Sequence, residues 1–341
     1  MVQRLRIGIV GTGMTANVIA QAIVDSAMAD LSAIASCRLE IAQTFAHKYG
    51  AAQAFDSWKK MLAWEGIDAV YVAVPTIAKE AVCIAAAQAG KHVLADKPFA
   101  DLNSLECITI TCQVNKVAFM DATHFVHHPR TQHIHTHAQN KIGVAQAVRT
   151  SFFFPTVNKH SNLRFTPEVE RTDTLGDMAW YAMRAVVEFL PDTPLRTVET
   201  FIQRDDKTNT IIRAAGILTF ENDSTSAWDI CYNADVCNVD LDILGTTGMI
   251  SLDDFVLDWT KGSAADDPEH TVGYIVRNRI ASSGNFQFVA TPSAKTQQAL
   301  MIEDFVALVH SGYDDEEYKA SIDSSRKTQA LLDAVWDKVN Q

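Results

Sequence analysis

In the first third of the chain, short apolar runs alternate with stretches whose apolar positions recur at helical spacing. Leu5 to Val10, Leu31 to Ser36, Asp68 to Val74, Lys91 to Ala95 and Val117 to Met120 predict strands, with a short extra strand at Ala54–Phe55. Such near-continuous apolar runs suit strands covered on both faces. Between them, helices are predicted over Ala16–Val24, Arg38–Tyr49, Ser57–Ala63 (capped by Asp56), Ala78–Ala89 and Ser104–Asn115. Gly50 and Gly90 supply the C-terminal stops. Strand and helix in regular alternation predict a parallel sheet with helices on both faces. Ligands of such sheets sit beyond the carboxyl ends of the strands, which here gathers Gly11, Ser36, Pro75 and Lys97 on one rim.

Near Asp121 the pattern changes. A polar helix is predicted over His124–Asn140, and strand-like segments follow at 144–154, 196–204, 211–220, 225–232 and 238–244. Gly245-Thr246-Thr247-Gly248 turns into a further strand, Met249–Leu252. Leu175–Leu190 reads as an apolar helix placed before most of these strands, and Gln297–His310 and Ser324–Val339 as two closing helices. Many strands with few helices between them predict an α+β domain with a mainly antiparallel sheet. The acidic run Asp314 to Glu317 reads as a solvated loop. The expected organisation is an α/β Rossmann domain over residues 1–122 and an α+β domain over 123–341.

Composition narrows the function classes. With 341 residues, 48% hydrophobic and 21% charged, the chain is long enough for two globular domains. A net charge of -12 disfavours nucleic acid and anionic membrane as partners, because both reward a Lys/Arg surplus. No apolar run of about 18 residues is present, and no signal peptide is visible before the first strand. A cytoplasmic protein is expected. The six cysteines contain no Cys-x-x-Cys pair and are too sparse for a disulfide scaffold, so free thiols are expected.

The candidate chemistry begins at Gly11-Thr12-Gly13-Met14-Thr15-Ala16, a G-x-G-x-x-A turn between the first strand and the first helix. Gly11 would permit the tight turn, Gly13 would admit a pyrophosphate close to the backbone, and Ala16 would let helix and strand pack closely. The helix N-terminus would offer N–H donors to the phosphates. NAD-binding units usually carry Asp or Glu at the tip of the second strand to hold the ribose 2′-OH. Here the tip is Ser36-Cys37-Arg38, with no acid. A hydroxyl and a guanidinium suit a 2′-phosphate, so NADP is expected ahead of NAD, with NAD use left open.

With those residues in place, the chain resembles the glucose–fructose oxidoreductase/inositol dehydrogenase/MocA family of NAD(P)-dependent sugar and diol oxidoreductases, over nearly its whole length. The resemblance rests on GIVGTGMTA at 8–16, AVYVAVPT at 69–76, AGKHVLADKPFA at 89–100, TLGDMAWYAMRAV at 174–186 and LGTTGMISL at 244–252. Asp96-Lys97-Pro98 looks like the family's Glu-Lys-Pro signature with one methylene removed from the acid. The stretch at 174–186 is similar to the branch containing dimeric dihydrodiol dehydrogenase and xylose dehydrogenases. In that branch Tyr181 matches the catalytic tyrosine and Asp177 the acid on the substrate side, although Ala179 stands where glycine is usual. Pro75-Thr76 matches a turn lying over the cofactor. Thr76 and Lys79 replace the Asn and His common just beyond it, and Lys79 could reach a phosphate or an acidic substrate group.

The resemblance implies a sugar, polyol or vicinal diol as substrate, and a homodimer or homotetramer formed through an open C-terminal sheet. The expected catalytic residues are Lys97, Tyr181 and Asp177; the expected cofactor contacts are Gly11, Thr12, Gly13, Met14, Thr15, Ser36, Arg38, Pro75, Thr76, Asp96 and Lys97. Alcohol oxidation needs a hydride partner, which nicotinamide supplies, and a proton partner at the oxygen, which the protein must supply. A phenol with free pKa near ~10 beside an ammonium can serve, and so can the ammonium itself. Asp177 and Tyr181 stand four apart, which puts them on one face of a regular α-helix. A cofactor-binding regulator without turnover is the alternative, motivated by the departures at Asp96, Ala179 and Lys79.

Six of the eleven histidines fall between His124 and His137. His124/His128 and His133/His137 have the i, i+4 spacing of helix-borne metal ligands, but no H-E-x-x-H and no carboxylate ligand accompanies them. The stretch resembles the family's linker helix, with His128-Pro129 matching its His-Pro. Solvated helix histidines and no metal are expected, with His124 or His127 available to line a substrate cleft.

Overall fold

The computed structural model describes residues 4–155, 163–166, 168–170, 172–259, 267, 269–280, 282–312 and 315–341. Packing divides the chain into two units, Met1–His127 with Lys295–Arg326, and His128–Ala294 with Lys327–Gln341.

The first unit is built on a six-stranded, wholly parallel sheet. Its strands are β1 (Leu5–Val10), β2 (Ala29–Ala35), β3 (Gln53–Phe55), β4 (Ala69–Val72), β5 (His92–Ala95) and β6 (Phe119–Asp121), in the spatial order β3-β2-β1-β4-β5-β6. Chain direction across the sheet reverses between β1 and β4, the switch point where such sheets open a crevice for ligands. The strands are buried on both faces, as the apolar runs required: Ile7, Ile9, Ala33, Ile34, Val70, Val72, Val93 and Leu94 are fully enclosed. Helices α1 (Met14–Asp25), α2 (Leu39–Tyr49), α3 (Trp58–Leu62), α4 (Thr76–Gln88) and α5 (Leu102–Val114) make the crossovers. Gly50 closes α2 in the left-handed conformation, as expected of a glycine stop. The cap of α3 is Ser57 rather than Asp56, its hydroxyl accepting from the Lys59 N–H.

Whereas the sequence places one break at 122/123, the stretch Lys295–Arg326 packs back into the first unit. It carries α8 (Gln297–Ser311) and the first part of α9 (Glu316–Val339). Long-range polar contacts hold it there: the Phe119 N–H donates to the Tyr318 hydroxyl at 3.2 Å, Ser325 donates to the Asp121 carboxylate, and Arg326 donates to Thr109 at 3.1 Å. Helix α9 begins eight residues before the predicted Ser324, because Tyr318 is a buried anchor and acids suit a helix N-terminus. Of the acidic run predicted as a loop, Glu316 opens this helix and Asp314 lies outside the described residues.

The second unit carries an eight-stranded sheet of β7 (Ala145–Phe153), β8 (Leu195–Arg204), β9 (Ile211–Phe220), β10 (Thr225–Cys231), β11 (Leu241–Gly245), β12 (Gly248–Leu252), β13 (Gly273–Asn278) and β14 (Gln287–Ala290). Its order is β14-β13-β12-β11-β7-β10-β9-β8, and every neighbouring pair is antiparallel except β7 with β10. The α+β prediction with a mainly antiparallel sheet holds. Strands β13 and β14 lie outside the segments read as strands from sequence, although Tyr274-Ile275-Val276 in β13 is a strand-like run; β14 is a four-residue edge strand whose side chains are mostly exposed, so it lacks an apolar stripe. Helices α6 (Pro129–Ile142) and α7 (Trp180–Phe189) pack on the sheet, α6 against β11 to β13 and α7 against β7. Following the register across the strands puts Phe201, Ile217 and Phe288 on one face. All three are at least half exposed.

Candidate active site

The glycine turn occupies the switch point. The Gly11 N–H donates to the Ala35 carbonyl at 2.9 Å, and the Ala73 N–H donates to the Val10 carbonyl at 2.9 Å, so the turn is held between the ends of β2 and β4. Gly11 has φ +112°, and a Cβ there would run into the carbonyl oxygen of Ala73. Only glycine fits. Gly13 differs: its φ of -77° is ordinary, and a Cβ on it would meet no protein atom within 4 Å. Gly13 is also the N-cap of α1 and provides no side-chain cap for the first-turn N–H groups, and the space beside it is open. An open, donor-lined cradle at a helix N-terminus fits the pyrophosphate of a dinucleotide. Ala16 is fully buried under this turn, as close helix–strand packing requires. Asn17 secures the turn from behind, donating to the Gly13 carbonyl at 2.8 Å while its own oxygen accepts from Lys48 and Tyr49, each at 2.9 Å.

At the tip of β2, the Ser36 N–H donates to the Phe55 carbonyl at 3.1 Å, and Arg38 is the exposed N-cap of α2. The expected 2′-phosphate contacts therefore lie at the carboxyl end of the strand beside β1. Thr12 and Thr15 are partly exposed in the turn. Pro75 caps α4 and Thr76 is its buried first residue. Met14 and Ile77 are 62% and 69% exposed, an unusual amount of apolar surface for the first turns of α1 and α4, and enough to flank a flat ring. Sequence reasoning missed Ile77, although its place directly after Pro75-Thr76 was a usable signal.

The turn after β5 holds Asp96 and Lys97. The Asp96 N–H donates to the Val72 carbonyl at 3.0 Å, the Lys97–Pro98 peptide is cis, and Lys97 is buried. Lys97 acts on His124, in the helical turn His124–His127. Burial pushes that imidazole down to about 3, the Lys97 ammonium adds to the depression, and hydrogen bonding with Gln297 opposes it. His124 is thus neutral at physiological pH. Lys79 does not reach outward to a phosphate: it is buried, and its ammonium donates to the Pro98 carbonyl.

In the second unit, Asp177 lies in a single π-helical turn, Leu175–Ala179, which runs into α7. The wider turn alters the α-helical spacing from which Asp177 and Tyr181 were expected to share a face. It is pinned to β9 by two bonds: Thr174 donates to the Ile211 carbonyl, and the Ile211 N–H donates to Asp173 at 3.1 Å. Burial pushes the Asp173 carboxyl up to about 6, against the pull of that backbone N–H. Asp177 accepts a hydrogen bond from the hydroxyl of Tyr232, a buried residue just beyond β10 that sequence reasoning did not single out. Tyr181 is buried, its ring tilted against Phe152 with centroids 5.6 Å apart. Lys97 belongs to the first unit, and Asp177, Tyr181 and Tyr232 to the second.

The remaining histidines have separate partners. His127 pairs with Asp304 at 2.7 Å, His135 with Glu188 at 2.9 Å, and His133 with the Tyr274 hydroxyl at 2.8 Å while stacking on His137. Burial raises the Glu188 pKa, but His135 and Arg184 outweigh it and hold the group near about 2. His128 is fully buried, not solvated, and burial with the nearby Arg130 charge pushes it down to about 3. Among the described residues no three His, Cys, Asp or Glu are placed to hold a metal ion, and no helix is long and apolar enough to cross a membrane. All six cysteines are free, with Cys37 and Cys237 exposed.

Comparison with known proteins gives the following likenesses. Residues 5–123 match the family model GFO_IDH_MocA, described as an oxidoreductase family with an NAD-binding Rossmann fold. D-xylose 1-dehydrogenase (NADP(+)) 2 of Haloferax volcanii is 28% identical over 199 residues, 58% of this chain and 60% of that one. scyllo-Inositol 2-dehydrogenase (NADP(+)) IolU of Bacillus subtilis is 30% identical over 149 residues, 43% of this chain and 45% of that one. The chain thus spans about half the length of the curated relatives it matches. Among solved structures, KijD10, a 3-ketoreductase from Actinomadura kijaniata in complex with NADP and TDP-benzene, superposes with a TM-score of 0.85. Identity there is 21%, over 98% of each chain. Levoglucosan dehydrogenase in complex with NADH and L-sorbose gives 0.81 at 17% identity, over 99% of this chain and 97% of that one. These two likenesses establish the fold.

Proposed function

We propose that the chain is a GFO/IDH/MocA oxidoreductase and that it transfers a hydride between NADP(H) and a sugar, polyol or vicinal diol, or the matching carbonyl compound. The observation that carries this reading is the cradle at Gly11–Thr15, whose open space and helix N-terminus without a side-chain cap fit a pyrophosphate while Lys97 stands on the same rim. NADP is preferred over NAD because Ser36 and the exposed Arg38 replace the usual acid, and because both curated relatives named above carry NADP(+) in their names. The first unit, which takes in residues 1–122, holds the cofactor; the second, which carries the eight-stranded sheet, supplies the substrate pocket and the subunit interface.

When bound, the nicotinamide supplies or accepts the hydride. The protein's part is the proton and the orientation. In oxidation the hydroxyl proton passes to Tyr181 or Lys97 as the hydride leaves carbon; in reduction it returns from the same pair. Asp177, directed by Tyr232, orients a neighbouring substrate hydroxyl. The exposed sheet face bearing Phe201, Ile217 and Phe288 is where a second copy would pack to give a homodimer or homotetramer.

A screen of sugars, polyols and diols, including D-xylose, scyllo-inositol and levoglucosan, with NADP and NAD read at the nicotinamide absorbance, tests the proposal. Lys97→Met and Tyr181→Phe are each expected to cut turnover by more than about tenfold on the best substrate. Turnover equal to the parent protein in both variants would refute these roles.

A further inference from the structure

Lys79 is an ammonium placed where an apolar side chain would be expected. It lies in the first turn of α4, inside the unit, with its Cβ in the row that packs inward beside Val82, Cys83 and Ala86. Burying an ammonium is unfavourable unless the group is engaged. The Pro98 carbonyl and the Phe99 ring are among the groups that engage it. Its Nζ donates to the Pro98 carbonyl, and it stands 5.5 Å from the centroid of the Phe99 ring, within cation–π range. Pro98 and Phe99 are the two residues that follow Lys97. Phe99 is itself enclosed, being 1% exposed and tilted on Phe119 with centroids 5.8 Å apart. A methionine of similar length would fill the same volume without the desolvation cost. What the lysine adds is a directed bond between α4, which begins at the Pro75–Thr76 turn, and the turn that presents Lys97.

We propose that Lys79 is a positioning residue for the reaction, tying the α4 turn to the Lys97 turn so that the Lys97 ammonium is held in register with the reacting oxygen. This rests on the reading of Lys97 as a proton carrier. Small displacements matter at such a site, since a shift of about 1 Å in a reacting group can lower a rate by about a hundredfold. The role needs both a donor and length, so arginine can take it up and methionine cannot.

The test uses the full chain as Lys79→Met, Lys79→Gln, Lys79→Arg and, for reference, Lys97→Met. Each variant is assayed for kcat and KM on the best substrate from the screen, for NADPH affinity by fluorescence titration, and for thermal unfolding. K79M and K79Q are expected to lose kcat by roughly ten- to a hundredfold with NADPH affinity within about twofold of the parent, and K79R to recover kcat to within about threefold. If K79M does not fold, K79Q and K79R carry the comparison. A parental kcat in K79M or K79Q, beside an inactive K97M, overturns the inference and leaves the role of Lys97 standing. Parallel loss of kcat and NADPH affinity overturns it too, because the side chain then supports the cofactor turn as a whole. A K97M protein with parental kcat overturns the role of Lys97 and this inference with it.

Discussion

Gly11 and Gly13 stand two residues apart in one turn, and the structure assigns them opposite sensitivities to the same added methyl. In Gly11→Ala the new Cβ collides with the Ala73 carbonyl oxygen, and φ is +112°, a region that L side chains rarely adopt. The backbone strain costs on the order of 1–3 kcal/mol. Shifting β4 to relieve the overlap costs a further ~1–3 kcal/mol. A loss of roughly 2–6 kcal/mol in the stability of the Rossmann unit follows. In Gly13→Ala the φ of -77° is acceptable and no protein atom lies within 4 Å of the new Cβ. The entropy gained against the unfolded chain, about 0.4–1 kcal/mol, roughly offsets the poorer N-cap. Stability should therefore change by less than about 1 kcal/mol. The methyl does intrude on the space assigned to the pyrophosphate. Losing one charge-assisted hydrogen bond there, worth about 1.5–3 kcal/mol, weakens NADPH binding roughly ten- to more than a hundredfold. Urea unfolding followed by circular dichroism and NADPH fluorescence titration measure the two quantities separately. A Gly13→Ala protein that binds NADPH like the parent would remove the phosphate from this cradle. One destabilised as much as Gly11→Ala would show that the space beside Gly13 is not open.

Two further outcomes can be measured with the same material. Arg38→Ala should weaken NADPH by roughly ten- to a hundredfold, the worth of a charge-assisted phosphate contact, while leaving NADH within about twofold; equal losses for both cofactors would contradict the 2′-phosphate role. The buried His128, held neutral down to about pH 3, makes folding pH-dependent. Because its folded pKa lies below the unfolded value, its contribution is intact above the unfolded value of about 6.5 and is lost progressively as pH falls toward 3. At pH 5 that loss is about 2 kcal/mol. His128→Gln should therefore show a shallower fall in urea stability between pH 7.5 and pH 5 than the parent, and an identical fall would argue that His128 is not the responsible group.

Much of this protein was legible before any coordinates. The parallel sheet, the glycine turn and the missing acid at Ser36-Cys37-Arg38 follow from local pattern, because a strand buried on both faces and a tight turn constrain adjacent residues. The antiparallel character of the second sheet was readable for the same reason, from strand-rich segments with few helices between them. Contacts between residues far apart in the chain were not. Nothing local says that Lys79 bonds Pro98, nineteen residues on, or that Tyr232 reaches Asp177, fifty-five residues back. Nor does local pattern say that Tyr318 and Ser325 return the chain to β6. The π turn at Leu175–Ala179 was likewise hidden, since its apolar residues read as an ordinary helix and its shape is held by bonds to Ile211 on β9. Sequence alone determined the two kinds of sheet and the rim on which Gly11, Ser36, Pro75 and Lys97 stand. Tertiary structure decided which of them are fixed, which are neutral and which are spoken for, because burial and hydrogen-bond partners are properties of the packed chain.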